Sequence, residues 1–263
     1  LEFNADTPTS LLEASVIQWQ WKEDVFPECD QFNGIHEGLV QSWKDIFPKK
    51  GEIHFAGALE NNEDTGTLQY LASTAMEAGF STRVLDMQAL DLQNGRFFDP
   101  AGELVNRCFK LYPWEWMGDE RPDGCLAEME WLEPIWKLVM SNKAILATLY
   151  ELFPDSPYVL PCYLSRPRSG LFCKKPIFSR EGHNVSVVDI RDWEEYVRIA
   201  ETEGDYNTGA YVYQEYVEPT AYSGRYPVIG SWIIGGEAAG IGIRENRMEV
   251  TDNLSEFVPH IIG

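Results

Sequence analysis

A chain of 263 residues with 44% hydrophobic and 13% aromatic side chains holds enough apolar surface for one large core or two joined ones. Its 42 acidic against 21 basic residues, a formal charge of −21, argue against the broad basic footprint of a nucleic-acid binder and suit a cationic partner such as a polyamine, or simply a well-solvated surface. No apolar run approaches a membrane span, no basic-plus-apolar amino terminus marks a signal peptide, and five cysteines without CxxC spacing indicate neither a disulfide framework nor a zinc site.

A reducing cytoplasm is therefore the expected compartment, where the Asn-x-Ser triplets at Asn184 and Asn253 are chance matches rather than glycosylation sites. The opening Leu1-Glu2-Phe3-Asn4-Ala5-Asp6 reads as the end of a strand, with Glu2, Asn4 and Asp6 on one face and Phe3 and Ala5 on the other. Carboxylate and amide oxygens at that spacing suit part of a Mg²⁺ shell, and a polar face on an edge strand gives the same pattern. With no initiator Met and a strand that begins in mid-pattern, the amino-terminal part is expected to be truncated.

Helix-start chemistry at Thr7 to Ser10 leads into a helix to about Val25, and a second helix is expected from Ile35 to Ile46. A buried strand at Glu52 to Gly57, a helix at Asp64 to Ala78 and a strand at Thr82 to Asp86 make a βαβ unit, which implies parallel strands. Turns at Gln93 to Arg96 and Pro100 to Gly102 bracket a short hairpin, and Val105 to Tyr112 is the next strand. The cluster Tyr112-Pro113-Trp114-Glu115-Trp116-Met117 is expected to form an apolar wall, with Glu115 either solvated or a substrate contact. A helical stretch follows near Leu126 to Leu132, and another from Asn142 to Phe153 is closed by Pro154.

From Gly170 the pattern changes to short strands and turns, an α+β half on an antiparallel sheet. Strands are expected at 172–177, 185–188, 210–217, 226–234 and 237–244, with a helix from Arg191 to Thr202. The Pro- and Arg-containing break at Ser165 to Gly170 is the best internal boundary, giving domains 1–165 and 166–263.

No GxxxxGK[ST] occurs, which argues against a P-loop kinase or ATPase. The glycines from Gly235 to Gly242 lack the helix that a dinucleotide fingerprint needs, so a hairpin at Gly235-Gly236 is the better account. A nucleotide site assembled from dispersed parts is also consistent: Lys175 before the polar loop Ser179-Arg180-Glu181-Gly182-His183, Lys143 at a helix start, and Gln214 with Tyr216 at a strand end. Taken one at a time, each is equally a surface lysine or a strand terminus.

Glu2-Phe3-Asn4-Ala5-Asp6, Lys110 with Trp114-Glu115, Asn142-Lys143-Ala144-Ile145-Leu146, Lys175-Pro176-Ile177 with Arg180-x-Gly182-x-Asn184, and Gly242-Ile243-Arg244 resemble, in this order, the synthetase domain of bacterial glutathionylspermidine synthase and its relatives. The resemblance covers nearly the whole chain. It implies a mixed α+β and α/β fold of ATP-grasp type, with two lobes enclosing a nucleotide cleft, and an ATP- and Mg-dependent ligase that joins a carboxylate to an amine through an acyl phosphate. By the same resemblance Glu2 and Asn4 bind Mg²⁺, and Lys143 and Lys175 bind the ATP phosphates. The loop bearing Ser179, Arg180, Gly182 and Asn184 covers them, Gln214 and Tyr216 border the adenine, and Arg244 stabilises the transferring phosphoryl group. Thr7, Thr9 and Glu63 would hold a peptide substrate and Glu256 a polyamine. A ligase acting on another acid, and a nucleotide-binding protein of the same fold without ligase activity, remain as alternatives.

Overall fold

The computed structural model describes residues 1–192, 196–206, 209–250 and 255–263, and they fall into two compact units. The first comprises Leu1–Phe3, Val139–Val228 and Arg244–Glu256; the second comprises Asn4–Leu138, Ile229–Ile243 and Phe257–Gly263.

In the second unit the strand Glu52–Gly57 pairs in parallel with Ser81–Asp86 on one side and Arg107–Leu111 on the other, and Glu130–Leu132 extends the sheet, also in parallel. The crossover from Gly57 to Ser81 is the helix Asn62–Glu77, started by Asn61, whose side chain accepts the Glu63 N–H. Parallel strands covered on both faces read as near-continuous apolar runs, and Glu-Ile-His-Phe-Ala-Gly is one. Phe55 and Phe109 turn to one face, where they meet Trp43 of the helix Ile35–Ile46, and Ala56 and Cys108 turn to the other, where Phe97, Trp114 and Met117 pack. A helix continues from Leu11 to Val25 with one π-helical turn, Glu13–Ile17.

Four expectations change here. Residues 1–6 form no strand, because their polar groups find side-chain and loop partners instead of a neighbouring ladder. The 126–132 stretch is a 3₁₀ turn, Pro122–Leu126, and then a strand, because Trp131 packs edge-on against both Trp114 and Phe97 beside the sheet edge. The hairpin is a three-stranded meander, Asp91–Gln93, Arg96–Phe98 and Leu104–Val105. The aromatic cluster is split by the helix Trp114–Glu120, which buries Trp114 and Met117 at 1% exposure each and leaves Trp116 at 39%.

The first unit is built on a five-stranded antiparallel sheet in the order Tyr196–Glu201, Ser186–Ile190, Gly170–Pro176, Tyr211–Glu215, Cys162–Tyr163. Val212 and Cys162 face the helix Ile145–Leu152, which packs through Leu146 and Ala147; Phe172, Val188 and Ile190 cluster on the reverse face. The expected single helix from Asn142 begins at Ile145, after a turn in which the Asn142 side chain accepts the Ala144 N–H. The expected helix at 191–202 is instead the edge strand Tyr196–Glu201 as far as it is described, held by its antiparallel ladder to Ser186–Ile190; residues 193–195 of that expectation lie outside the described residues, as does Asn253. The strands Tyr226–Ile234 and Glu237–Asn246 turn at Gly235 and Gly236, whose φ values of +61° and +91° suit glycine. Among the described residues no helix is long and apolar enough to cross a membrane.

Candidate functional site

In the first unit, Lys143 sits in the turn before the Ile145–Leu152 helix, and its side chain is almost wholly buried. Its backbone N–H donates to the Ile177 carbonyl at 2.9 Å and its ammonium donates to the Ser179 carbonyl at 2.6 Å, so one residue grips both ends of the short segment entering the polar loop. The Glu2 carboxylate lies 3.4 Å from the same ammonium. Burial, above all, holds the Lys143 pKa below the ordinary lysine value; Glu2 pulls it back up, and Lys175 and Arg180 add to the lowering. Lys143, Lys175 and Arg180 are thus close enough to act on one another, with the Glu2 carboxylate among them.

Lys175 projects from the Gly170–Pro176 strand and donates to the Gln214 side-chain oxygen at 3.1 Å and to the Leu1 carbonyl at 3.3 Å. Gln214 is 2% exposed, and its amide nitrogen has no hydrogen-bond partner among the described residues. A buried amide donor without a partner is uncommon, and it is complementary to a ring nitrogen or carbonyl on a ligand. Tyr216 donates its hydroxyl to Glu249, while its backbone N–H donates to the Leu171 carbonyl at 3.0 Å.

The loop after Lys175 is a tight turn in which the His183 N–H donates to the Arg180 carbonyl at 2.9 Å. Glu181, Gly182 and Asn184 take φ values of +55°, +71° and +55°, a run of left-handed backbone that only the glycine adopts freely. Thr202 ties the loop to the sheet, its hydroxyl donating to the Gly182 carbonyl and accepting the Val185 N–H at 3.0 Å. Arg180 and Ser179 are half-buried on this loop, and the Asn184 side-chain oxygen is buried without a hydrogen-bond partner among the described residues. Arg244 is half-buried near the end of the Glu237–Asn246 strand, and Glu256 pairs with Arg225 at 2.8 Å.

The remaining candidates belong to the second unit. Asn4, Thr9 and Glu63 are exposed and Thr7 is buried. Asp6, grouped with Glu2 and Asn4 by alternation, is fully buried: its carboxylate accepts the Lys110 ammonium and the Trp114 N–H, the latter at 2.8 Å. Among the described residues no group of three or more His, Cys, Asp and Glu side chains is arranged to hold a metal ion. Oxygen donors such as Glu2 and Asn4 are of the type that binds Mg²⁺ together with water and phosphate oxygens.

Two buried polar groups of the second unit lie outside the predicted site residues. Lys110 is fully buried, with its ammonium 4.3 Å from the centre of the Trp114 ring. His54, in the middle of the Glu52–Gly57 strand, is 2% exposed, and neither ring nitrogen makes a hydrogen bond among the described residues, with Glu52 and Asp99 at 3.5 and 3.9 Å. For His54 the only signal was a polar residue inside an apolar strand run, whereas Lys110 already stood with Trp114-Glu115 among the motifs of the resemblance.

The family described as glutathionylspermidine synthase preATP-grasp matches residues 1–263. A Haemophilus influenzae protein assigned as an acid–amine ligase is 38% identical, over 98% of this chain and 70% of its own length. Trypanothione synthetase of Crithidia fasciculata is 28% identical over 97% of this chain and 43% of its own, and the bifunctional glutathionylspermidine synthetase/amidase of Escherichia coli is 26% identical over 99% and 46%. The chain therefore spans less than half the length of these last two relatives. In fold it resembles the crystal structure of a Methylobacillus flagellatus protein assigned as gamma-glutamylcysteine synthetase, with a TM-score of 0.59 at 11% identity over 86% of this chain and 72% of that one.

Proposed function

The chain belongs to the glutathionylspermidine synthase family, and from that premise we propose that it carries the site of an ATP- and Mg-dependent ligase that joins a peptide-like carboxylate to an amine. The observation that carries the proposal is the grouping of Lys143, Lys175 and Arg180 beside the Gln214 amide nitrogen, which has no hydrogen-bond partner among the described residues, in a protein whose net charge is −21. Positive charge gathered in this way, in so acidic a chain, suits an anionic ligand such as a nucleotide phosphate.

In this reading residues 1–165 supply mainly the metal and acid groups and 166–263 the nucleotide groups, as two lobes of an ATP-grasp arrangement. Lys143 and Lys175 neutralise the ATP phosphates, the loop with Ser179, Arg180, Gly182 and Asn184 lies over them, and Gln214 with Tyr216 reads the adenine. Glu2 and Asn4 would hold Mg²⁺, which when bound offsets charge on the phosphates. Thr7, Thr9 and Glu63 orient the acid, and Glu256 attracts an ammonium of the amine. An acid oxygen takes the terminal phosphoryl group and ADP departs; the amine nitrogen then attacks the acyl carbon, phosphate leaves, and an amide remains. Arg244 meets the charge that builds on the moving phosphoryl group. Such chemistry rests on position and electrostatics and needs no covalent nucleophile from the protein.

The test is release of ADP by the purified protein with MgATP, offered glutathione and spermidine first and then other acids and amines. Release that requires both acid and amine, together with loss of ATP binding in Lys143→Ala, is the expected result. ATP binding with no acid–amine pair supporting release would instead favour a nucleotide-binding protein.

A further inference from the structure

Lys174 and Lys175 are neighbours on one strand of the five-stranded sheet, so their side chains leave it on opposite faces. Lys175 shares its face with Gln214. On the reverse face the register sets Lys174 opposite Tyr213 and Phe172 opposite Val188, and residues paired across strands point the same way. There Arg166, Lys174, Tyr196 and Tyr213 surround a cavity of about 90 Å³ whose apolar wall is Val188 and Ile190.

The groups around this cavity are cationic and hydrogen-bond donating. The Arg166 guanidinium lies 5.1 Å from the Tyr196 ring centre and donates through Nη2 to the Asp192 carbonyl at 2.9 Å, while its Nε is buried and without a hydrogen-bond partner among the described residues. The Lys174 ammonium rests 3.9 Å from the Tyr211 ring centre, and among the described residues no carboxylate forms an ion pair with it or with Arg166. The Arg198 hydrogen bond first, and then Lys174 and Arg166, hold the Tyr196 hydroxyl below its ordinary pKa. Two cations facing one small, partly apolar space raise each other's energy, and an anion between them lowers it. The arginine donors and the Tyr213 hydroxyl supply the directional bonds that an oxyanion accepts. On the measure by which about 10–15 Å³ holds one water, the cavity of about 90 Å³ has room for a small phosphate or carboxylate group.

We propose that this reverse-face cavity is a second anion site, separate from the Lys143 and Lys175 cluster, that takes one small oxyanion through Arg166, Lys174 and Tyr213. It is independent of the ligase reading, since none of its residues belongs to that site.

Calorimetric titration of the protein with inorganic phosphate and, separately, with acetate tests it, and which of the two saturates tells a phosphoryl from a carboxylate ligand. One of them should saturate with a dissociation constant on the order of 1 mM. In a Lys175→Gln background, which weakens the phosphate-binding cluster on the opposite face, adding the double variant Arg166→Gln/Lys174→Gln should weaken that binding by about tenfold or more. If the double variant does not keep the wild-type thermal unfolding midpoint, Lys174→Met alone carries the comparison. No saturable binding of either anion in the Lys175→Gln background, or binding there that the double variant leaves unchanged, overturns the proposal.

Discussion

Asp6 and Lys110 form an ion pair in which neither side chain is exposed to solvent. The pair is further tied down: Lys110 also donates to the Tyr112 carbonyl at 2.9 Å, and Asp6 also accepts the Trp114 N–H. It therefore fixes the chain just before Thr7 to the carboxyl end of the Arg107–Leu111 strand and to the start of the Trp114–Glu120 helix.

Removing one member of such a pair leaves an uncompensated buried charge, so Lys110→Met should destabilise the protein by about 3–5 kcal/mol in denaturant unfolding. Adding Asp6→Asn to Lys110→Met should restore part of that loss, because the stranded carboxylate is gone while an oxygen remains for the Trp114 N–H. A loss below about 1 kcal/mol in the single variant would mean that the pair does little to hold the fold.

His54 predicts a pH dependence. Burial above all lowers its pKa from 6.5; Glu52 pulls it back up, and Arg83 adds to the lowering. The unfolded chain then takes up a proton near pH 6.5 that the folded chain resists. This contribution to stability is complete above that pH and is lost as the pH falls below it, by at most about 1.4 kcal/mol per pH unit. Urea midpoints measured from pH 7.5 down to pH 5 should decline less steeply in His54→Gln than in the wild type. Identical slopes would remove His54 from the account.

The left-handed backbone at Glu181, Gly182 and Asn184 motivates a prediction about the loop at 179–183. Its amides should exchange faster without MgATP than with it, as lids over phosphates commonly do. Equal protection in both states, read by hydrogen-exchange mass spectrometry, would show that the loop does not respond to nucleotide.

Arg244→Ala should reduce amide formation by about 10²–10³ in turnover while changing ATP affinity much less, because its charge would be used mainly as the phosphoryl group moves. Turnover and nucleotide binding measured on the same preparation decide it. Unchanged turnover would remove the role assigned to Arg244.

Sequence periodicity by itself determined the βαβ unit at 52–86 and the helix at 35–46, because a strand covered on both faces and an amphipathic helix have different apolar spacings that local residues alone can carry. The glycine pair at 235–236 was legible in the same way, through backbone conformations that suit glycine. The 126–132 stretch was misread because Trp131 is committed to a strand by Trp114 and Phe97, neighbours that no local pattern encodes. For the same reason alternation grouped Asp6 with Glu2 and Asn4, while folding gave Asp6 to Lys110, 104 residues away along the chain. The residue types of the candidate site could be recognised as dispersed motifs. Which of them meet was decided by the tertiary structure, since the approach of Lys143 to Glu2, and of Lys175 to Gln214, depends on segments brought together only by sheet register and helix packing.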